Sequence, residues 1–386
     1  MPPDGEDAVE PPPVPVTPSH TTTSGHVALV LPTAEGGGAE RSMVRLANGL
    51  HRAGITVDLV LGTAEGEYVD EIAAGVNVID LRSKRMSSAV PGLVRYLRSR
   101  RPTAAVATLP HGNVALAIAS RLARTGTRVY LREASTPSEL TYGRFDVRDR
   151  VTGSLVALAY RQAHGVIAVS NGVATDLHEQ FGVPRERIHV IANPVIDADV
   201  FELAAEELPF APFGADTAPV IMGAGRLIAD KGFDTLLRAF ATVRSQVDAR
   251  LLILGEGQER AALEGLAREL DLTPYVSMPG FVQNPYAFMA RASLFVLSSR
   301  REGLPGVLIQ AMACGCPVVS TDCKSGPDEV LEGGAYGMLV PVGDDAAMAA
   351  AMVTTLAGDT DVEALKRRAL DYTLEESVEA FSRLLL

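Results

Sequence analysis

The chain has 386 residues, 47% of them apolar and 21% charged, which is enough for two ordinary soluble domains with full cores. It contains no run of about 18 apolar residues, which excludes a transmembrane helix, and its start lacks the basic and apolar regions of a secretory signal, so the expected location is the cytoplasm. A net charge of −12, no Trp and 5% aromatic content argue against nucleic acid as a partner, since such binders concentrate basic surface with stacking aromatics.

The charge is unevenly spread. Residues 1–25 carry four acids and no Lys or Arg; residues 26–205 hold 20 basic and 18 acidic side chains, and 206–386 hold 15 and 25. The three cysteines, Cys314, Cys316 and Cys323, lie close together without a neighbouring His, which favours reduced core thiols over a metal site, and no metal is expected.

In chain order, residues 1–25 are rich in Pro, Thr, Ser and acid and are expected to form a disordered extension. Residues 26–32, HVALVLP, read as a buried strand. A loop with Gly36, Gly37 and Gly38 follows, and then a helix to about Arg52. Such a unit presents backbone N–H groups and the positive end of a helix dipole to a phosphate or polar sugar. The glycines match neither GxGxxG nor GxxxxGK[ST], and a tight packing turn is the alternative.

Strand-like runs continue at 57–62, 76–80, 104–108, 128–132, 165–169 and 188–191, mostly separated by helix-length segments. This alternation predicts a parallel, doubly wound α/β sheet whose ligands lie past the strand C-termini, which selects the triple glycine, His111, Glu133, Ser170 and Asn171. Glu133 has a salt bridge with Arg132 as its structural alternative. Within 82–101 seven Lys or Arg and no acid interleave with apolar residues, which is read either as a solvated helix face or as a peripheral contact with anionic lipid at the inner face of a membrane.

A poorly periodic segment follows Asn193 and Pro194, and the boundary of the N-terminal domain is placed at 205. The pattern then restarts with strands at 220–225 and 250–255 and helices at 233–246 and 258–270, predicting a second doubly wound domain. Its first loop, GRLIADKG at 225–232, holds Arg226 and Lys231, whose fork and compact charge suit a diphosphate, and Gly255 begins a second close-approach loop. In the stretch 298–329 a strand end leads to a helix with Pro305 at its first position. Gly303, Gly306 and Gln310 are expected on its bare, polar side, fit for phosphates and hydroxyls or for a close helix contact.

Taken together, GGGAER at 36–41, GRLIADKG, GEGQER at 255–260 and EGLPGVLIQAMACGCPVVSTD at 302–322 resemble the retaining, two-domain glycosyltransferases of family 4, over essentially residues 26–386. The resemblance implies the GT-B fold, in which two Rossmann-like domains face across a cleft. An acceptor-binding domain would span 26–205, a nucleotide-sugar domain 206–373, and a final helix over 374–386 would cross back to the first. It implies that Arg226 and Lys231 clamp the diphosphate and that Glu302 contacts the donor sugar. Gly303 and Leu304 would offer backbone to phosphates and sugar, His111 would reach the sugar from the first domain, and the triple-glycine loop would close over donor and acceptor.

The expected activity is transfer of a hexose or N-acetylhexosamine from a nucleoside diphosphate sugar, UDP-linked by preference, to a glycan, lipid-linked or small-molecule acceptor, with no metal required. One position departs from the pattern. The family's second glutamate is Gln310 here, which weakens its hold on the ribose and leaves a non-catalytic binding subunit as an alternative, while the shared two-domain architecture leaves a sugar-nucleotide epimerase as another.

Overall fold

The computed structural model describes residues 25–35, 37–139, 147–212 and 218–386, with side chains from Leu155 onward in the helix that begins at Val147. The expected N-terminal extension, apart from Gly25, and the candidate Gly36 lie outside these residues.

The first sheet has seven parallel strands: β1 (His26–Leu31), β2 (Thr56–Leu61), β3 (Asn77–Asp80), β4 (Ala104–Thr108), β5 (Arg128–Glu133), β6 (Gly165–Ala168) and β7 (Ile188–Val190). They lie in the order β3-β2-β1-β4-β5-β6-β7. The helices between them are α1 (Gly38–Arg52), α2 (Met86–Arg100), α3 (Pro110–Ala123), α4 (Val147–Gln162) and α5 (Asn171–Phe181), and α6 (Ala198–Ala205) follows β7. The second sheet has six parallel strands: β8 (Val220–Ala224), β9 (Arg250–Leu254), β10 (Val276–Gly280), β11 (Leu294–Leu297), β12 (Val318–Thr321) and β13 (Met338–Val340), in the order β10-β9-β8-β11-β12-β13. Its helices are α7 (Phe233–Arg244), α8 (Arg260–Glu269), α9 (Tyr286–Met289), α10 (Gly306–Ala313), α11 (Pro327–Leu331), α12 (Asp345–Ala357), α13 (Val362–Ala369) and α14 (Leu374–Leu385).

The central strands are continuous apolar runs because helices cover both faces of each sheet: Val27 to Leu31 and Leu251 to Leu254 are all 3% exposed or less. In each sheet the strand order reverses next to the first strand, between β1 and β4 and between β8 and β11. The crevices at these two reversals are where a doubly wound fold receives ligands. The last helix, α14, packs Leu374, Val378, Phe381 and Leu385 into the core around β1, β2 and α1, so the chain's end belongs to the first half of the molecule. Gly49 of α1 makes that contact possible, since a Cβ there would stand 2.5 Å from Val378 Cγ2.

On the opposite face, α2 is held by the buried Asp58 of β2. Its carboxylate accepts bonds from His26 Nε2 at 2.8 Å, Tyr96 Oη at 2.9 Å, Asn77 Nδ2 at 3.0 Å, and the Arg100 guanidinium at 3.0 and 2.9 Å. Burial alone would raise this carboxyl, but the bonds from Arg100, Tyr96, His26 and Asn77 hold it down at about 2. Met86, Ala89, Leu93, Tyr96 and Leu97 of α2 face inward, while Lys84, Arg85, Arg95, Arg98 and Arg101 are exposed. Most of the interleaved apolar residues in this segment therefore build core, with Val90 and Val94 partly buried, and its cations meet solvent.

Candidate functional site

Three loops of the second half converge where its strand order reverses. The loop after β8 carries Arg226 and ends in the short turn Ala229–Lys231. Gly232 follows with φ 61°, and a Cβ there would lie 2.1 Å from the Ser298 carbonyl, so a side chain at this position would push the β8 loop off the end of β11. The loop after β9 is pressed on as closely, since a Cβ on Gly255 would meet the Gly225 carbonyl at 1.9 Å. The third loop, after β11, holds Ser298, Ser299 and Glu302.

These contacts bring Lys231 Nζ to 2.5 Å from Glu302 Oε1, and Ser299 Oγ donates to the same oxygen at 2.7 Å. Ser298 Oγ in turn holds the Lys231 carbonyl at 2.8 Å. Arg226, on the same loop as Lys231, is exposed, and no described residue bonds its guanidinium. The cluster thus offers two cations and one carboxylate on rigid strand ends, suited to a ligand that joins a diphosphate to a polyol.

The helix expected to start with Pro305 begins one residue later. Pro305 is the residue before α10, and Gly303 lies outside the helix, which corrects its placement on a bare helical side. Gly303 instead touches the first half. A Cβ there would stand 2.2 Å from the Ala134 carbonyl, and Ser170 Oγ donates to the Gly303 carbonyl at 2.7 Å. Thr136 Oγ1 bonds the Glu302 carbonyl at 3.2 Å and lies 3.3 Å from Ser325 Oγ, and the Asn171 backbone N–H donates to the Glu329 carboxylate at 2.7 Å. The two halves are therefore hydrogen-bonded across the loop that carries Glu302. Leu304, 6% exposed, packs in the core behind it.

Gln310 sits on α10 with its amide N–H bonded to Tyr286 Oη at 3.2 Å, and Arg45 of α1 reaches the same hydroxyl at 3.3 Å. Arg45 also donates to the Val195 carbonyl at 3.0 Å, so the polar chain runs from α10 through α9 to α1 and the segment joining the halves. Sequence reasoning missed Arg45 and Tyr286. Both stand in unremarkable helical patterns, and only the packing of the two halves makes them partners.

In the first half, Gly37 and Gly38 lead into α1, and His111 stands exposed in the first turn of α3, its ring unbonded by any described residue. Glu40, which no motif had singled out, folds its carboxylate back beside Gly37 onto the start of its own helix. Burial raises its pKa, while its own backbone N–H, Arg226 and Arg132 pull the other way. Glu133 is not at the cleft. As neighbours on a strand, Arg132 and Glu133 point to opposite faces. Arg132 bonds Thr108 and Asn193, whereas Glu133 accepts from Tyr160 Oη at 2.8 Å and Asn113 Nδ2 at 2.7 Å. Burial pushes the Glu133 carboxyl up to about 7 and the Arg132 guanidinium down to about 10, and the two make no ion pair.

Residues 36–199 match the family model described as Glycosyltransferase Family 4, and residues 218–358 match Glycosyl transferases group 1. The chain belongs to this family of glycosyltransferases. The enzyme is 32% identical over 254 residues, 66% of its length and 67% of the relative's, to the N-acetylgalactosamine-N,N'-diacetylbacillosaminyl-diphospho-undecaprenol 4-alpha-N-acetylgalactosaminyltransferase of Campylobacter jejuni. It is 28% identical to the lipopolysaccharide core biosynthesis glycosyltransferase LpsE of Rhizobium meliloti, over 90% of this chain and 92% of that one. Among solved structures, HepE of Anabaena in complex with UDP-glucose superimposes with a TM-score of 0.78 at 20% identity, covering 94% and 99% of the two chains. TarM follows with 0.75 at 14% identity, over 95% and 99%. The glycosyltransferase therefore has the GT-B fold that its motifs imply.

Proposed function

We propose that this glycosyltransferase moves a hexose or N-acetylhexosamine from a UDP-sugar to a glycan or lipid-linked acceptor, with retention at the anomeric carbon. The observation that carries the reading is the Lys231–Glu302 pair, with the exposed Arg226 on the same loop as Lys231. Its three groups have the charges a sugar nucleotide requires, at the crevice where the fold receives ligands. UDP is preferred because HepE, the neighbour of matching fold, was solved with UDP-glucose. A lipid-linked or polysaccharide acceptor is proposed from the names of the relatives, which act on a diphospho-undecaprenol glycan and in lipopolysaccharide core biosynthesis. In this reading residues 26–205 hold the acceptor, residues 206–373 hold the donor, and 374–386 strap the two together.

Breaking the anomeric C–O bond places positive charge on the sugar ring and negative charge on the departing diphosphate. Arg226, Lys231 and the backbone N–H groups of Gly303 and Leu304 stabilise that leaving group, and Gly255 lets the loops close on it. Glu302 exchanges Lys231 for a sugar hydroxyl when the donor enters, and His111 approaches the sugar from across the cleft with Gly37 and Gly38. As the family resemblance implies, the acceptor attacks on the leaving-group side and the departing phosphate takes its proton. The exposed cations of 82–101 are read as a contact with anionic lipid that brings the enzyme to its acceptor.

The deciding experiment is a transfer assay with UDP-hexoses and UDP-N-acetylhexosamines. Lys231→Ala and Glu302→Gln are each expected to lower kcat by about 100- to 1000-fold, as removal of a preorganised charge-stabilising group does. Full turnover in either variant sinks the reading, and epimerised sugar nucleotide formed without acceptor replaces transfer by epimerisation.

A further inference from the structure

The strongest feature outside the cleft is the outer face of α2, α3 and α4. Residues 81–132 hold eleven Lys or Arg, ten of them Arg, and no Asp or Glu, in a chain of net charge −12. Because the steps β3→β4, β4→β5 and β5→β6 all move the same way across the sheet, their connecting helices lie side by side on one face. On that face four large aliphatic side chains stand in solvent: Ile118 at 40% and Leu122 at 53% exposure on α3, and Leu155 at 41% and Leu158 at 50% on α4. Spacings of four and three put each pair on a single helical stripe, and all four belong to the halves of their helices remote from the cleft.

The cations adjoin this stripe directly. Arg98 crosses from α2 to bond the Leu122 carbonyl at 2.9 Å, and Arg95, Arg101, Arg121 and Arg124 are exposed around it. Scattered exposed aliphatic residues need no explanation, but four on adjoining helices, next to arginines and with no acid in the 81–132 segment, form a surface with a definite preference. Guanidinium forks match phosphate, and the aliphatic side chains suit the boundary between head groups and acyl chains.

We propose that the α2–α4 face docks on an anionic phospholipid bilayer, with Ile118, Leu122, Leu155 and Leu158 entering the interface and the arginines of α2 and α3 meeting lipid phosphates. The proposal rests on reading 82–101 as lipid-facing, and it moves the membrane-inserting element from α2, whose apolar residues are core, to α3 and α4.

The test is co-sedimentation of the full chain with vesicles of phosphatidylcholine alone and of phosphatidylcholine mixed with phosphatidylglycerol. Two variants are compared: Arg95→Gln/Arg101→Gln/Arg121→Gln, and Ile118→Ser/Leu122→Ser/Leu155→Ser/Leu158→Ser. All seven positions are exposed, and an unchanged urea midpoint checks each fold. The wild type is expected to partition onto anionic vesicles only. The arginine variant is expected to bind about 100-fold more weakly, with a flatter salt dependence. The aliphatic variant is expected to lose about tenfold or more, at high salt as well as low.

Indifference of the wild type to lipid charge overturns both this proposal and the lipid reading of 82–101. Wild-type binding by the aliphatic variant overturns the proposal alone. Concentration-dependent self-association that this variant abolishes assigns the face to a second copy of the chain and overturns it too. Failure to turn over any UDP-sugar bears on the proposed reaction and leaves these outcomes untouched.

Discussion

Gln310 donates an amide N–H to Tyr286, and in the proposed reading its carbonyl oxygen is the group that would accept from a ribose hydroxyl. A charge-assisted bond is worth about 1.5–3 kcal/mol against about 0.5–1.5 kcal/mol for a neutral one. Gln310→Glu is accordingly expected to tighten UDP binding by roughly tenfold in calorimetry, while the wild type remains active. Weaker UDP binding would mean that position 310 does not face the ribose.

Glu133 gives a pH signature. Its folded pKa of about 7 lies above the ordinary carboxyl value, so its stabilising contribution is complete in acid and is lost as pH rises through 7. Glu133→Gln keeps an acceptor for Tyr160 and Asn113 without the charge. Its Tm relative to wild type should therefore climb between pH 5 and pH 8, and a flat difference would refute the buried ionisation.

Among the elements, the loop between β11 and α10 holds Glu302 for the ligand and at Gly303 is pressed against backbone of the other half. Because the atoms a Cβ would meet there are the Ala134 carbonyl and Ser135 Cα, no side-chain rotation relieves the clash. Gly303→Ala is expected to spread the two halves and lower kcat by at least about tenfold, since misplacement by about 1 Å costs roughly 100-fold in a positioned reaction. The urea midpoint should change little. Unaltered kinetics would show that this contact is dispensable.

At the scale of the molecule, α14 unites the two halves by burying Phe381 at 1% exposure against α1 and β1. Phe381→Ala is expected to cost about 3–5 kcal/mol, read from the urea midpoint, with UDP affinity unchanged because Phe381 packs in the first half's core, which holds no residue of the Lys231 cluster. A loss of UDP affinity at full folding would instead tie the strap to closure of the cleft.

The two doubly wound halves could be read from the sequence because buried parallel strands are short apolar runs, and these alternate with helical patterns at regular spacing. Strands β4, β8 and β9 fall within a residue or so of where their apolar runs place them. Arg226, Lys231 and the glycines could be read because each lies in a loop that follows such a strand, and Glu302 because its motif resembles the family's. Tertiary structure decided what depends on two distant segments meeting. Joining Gln310 to Arg45 through Tyr286 and pressing Gly303 on Ala134 need the two halves in contact, and pairing Lys231 with Glu302 needs two loops 71 residues apart to meet within the second half; no local period encodes either. The same holds for Glu133 and α2. A strand end and a charged helix look functional in isolation, but neighbouring helices turned Glu133 into a buried carboxyl and the apolar side of α2 into core.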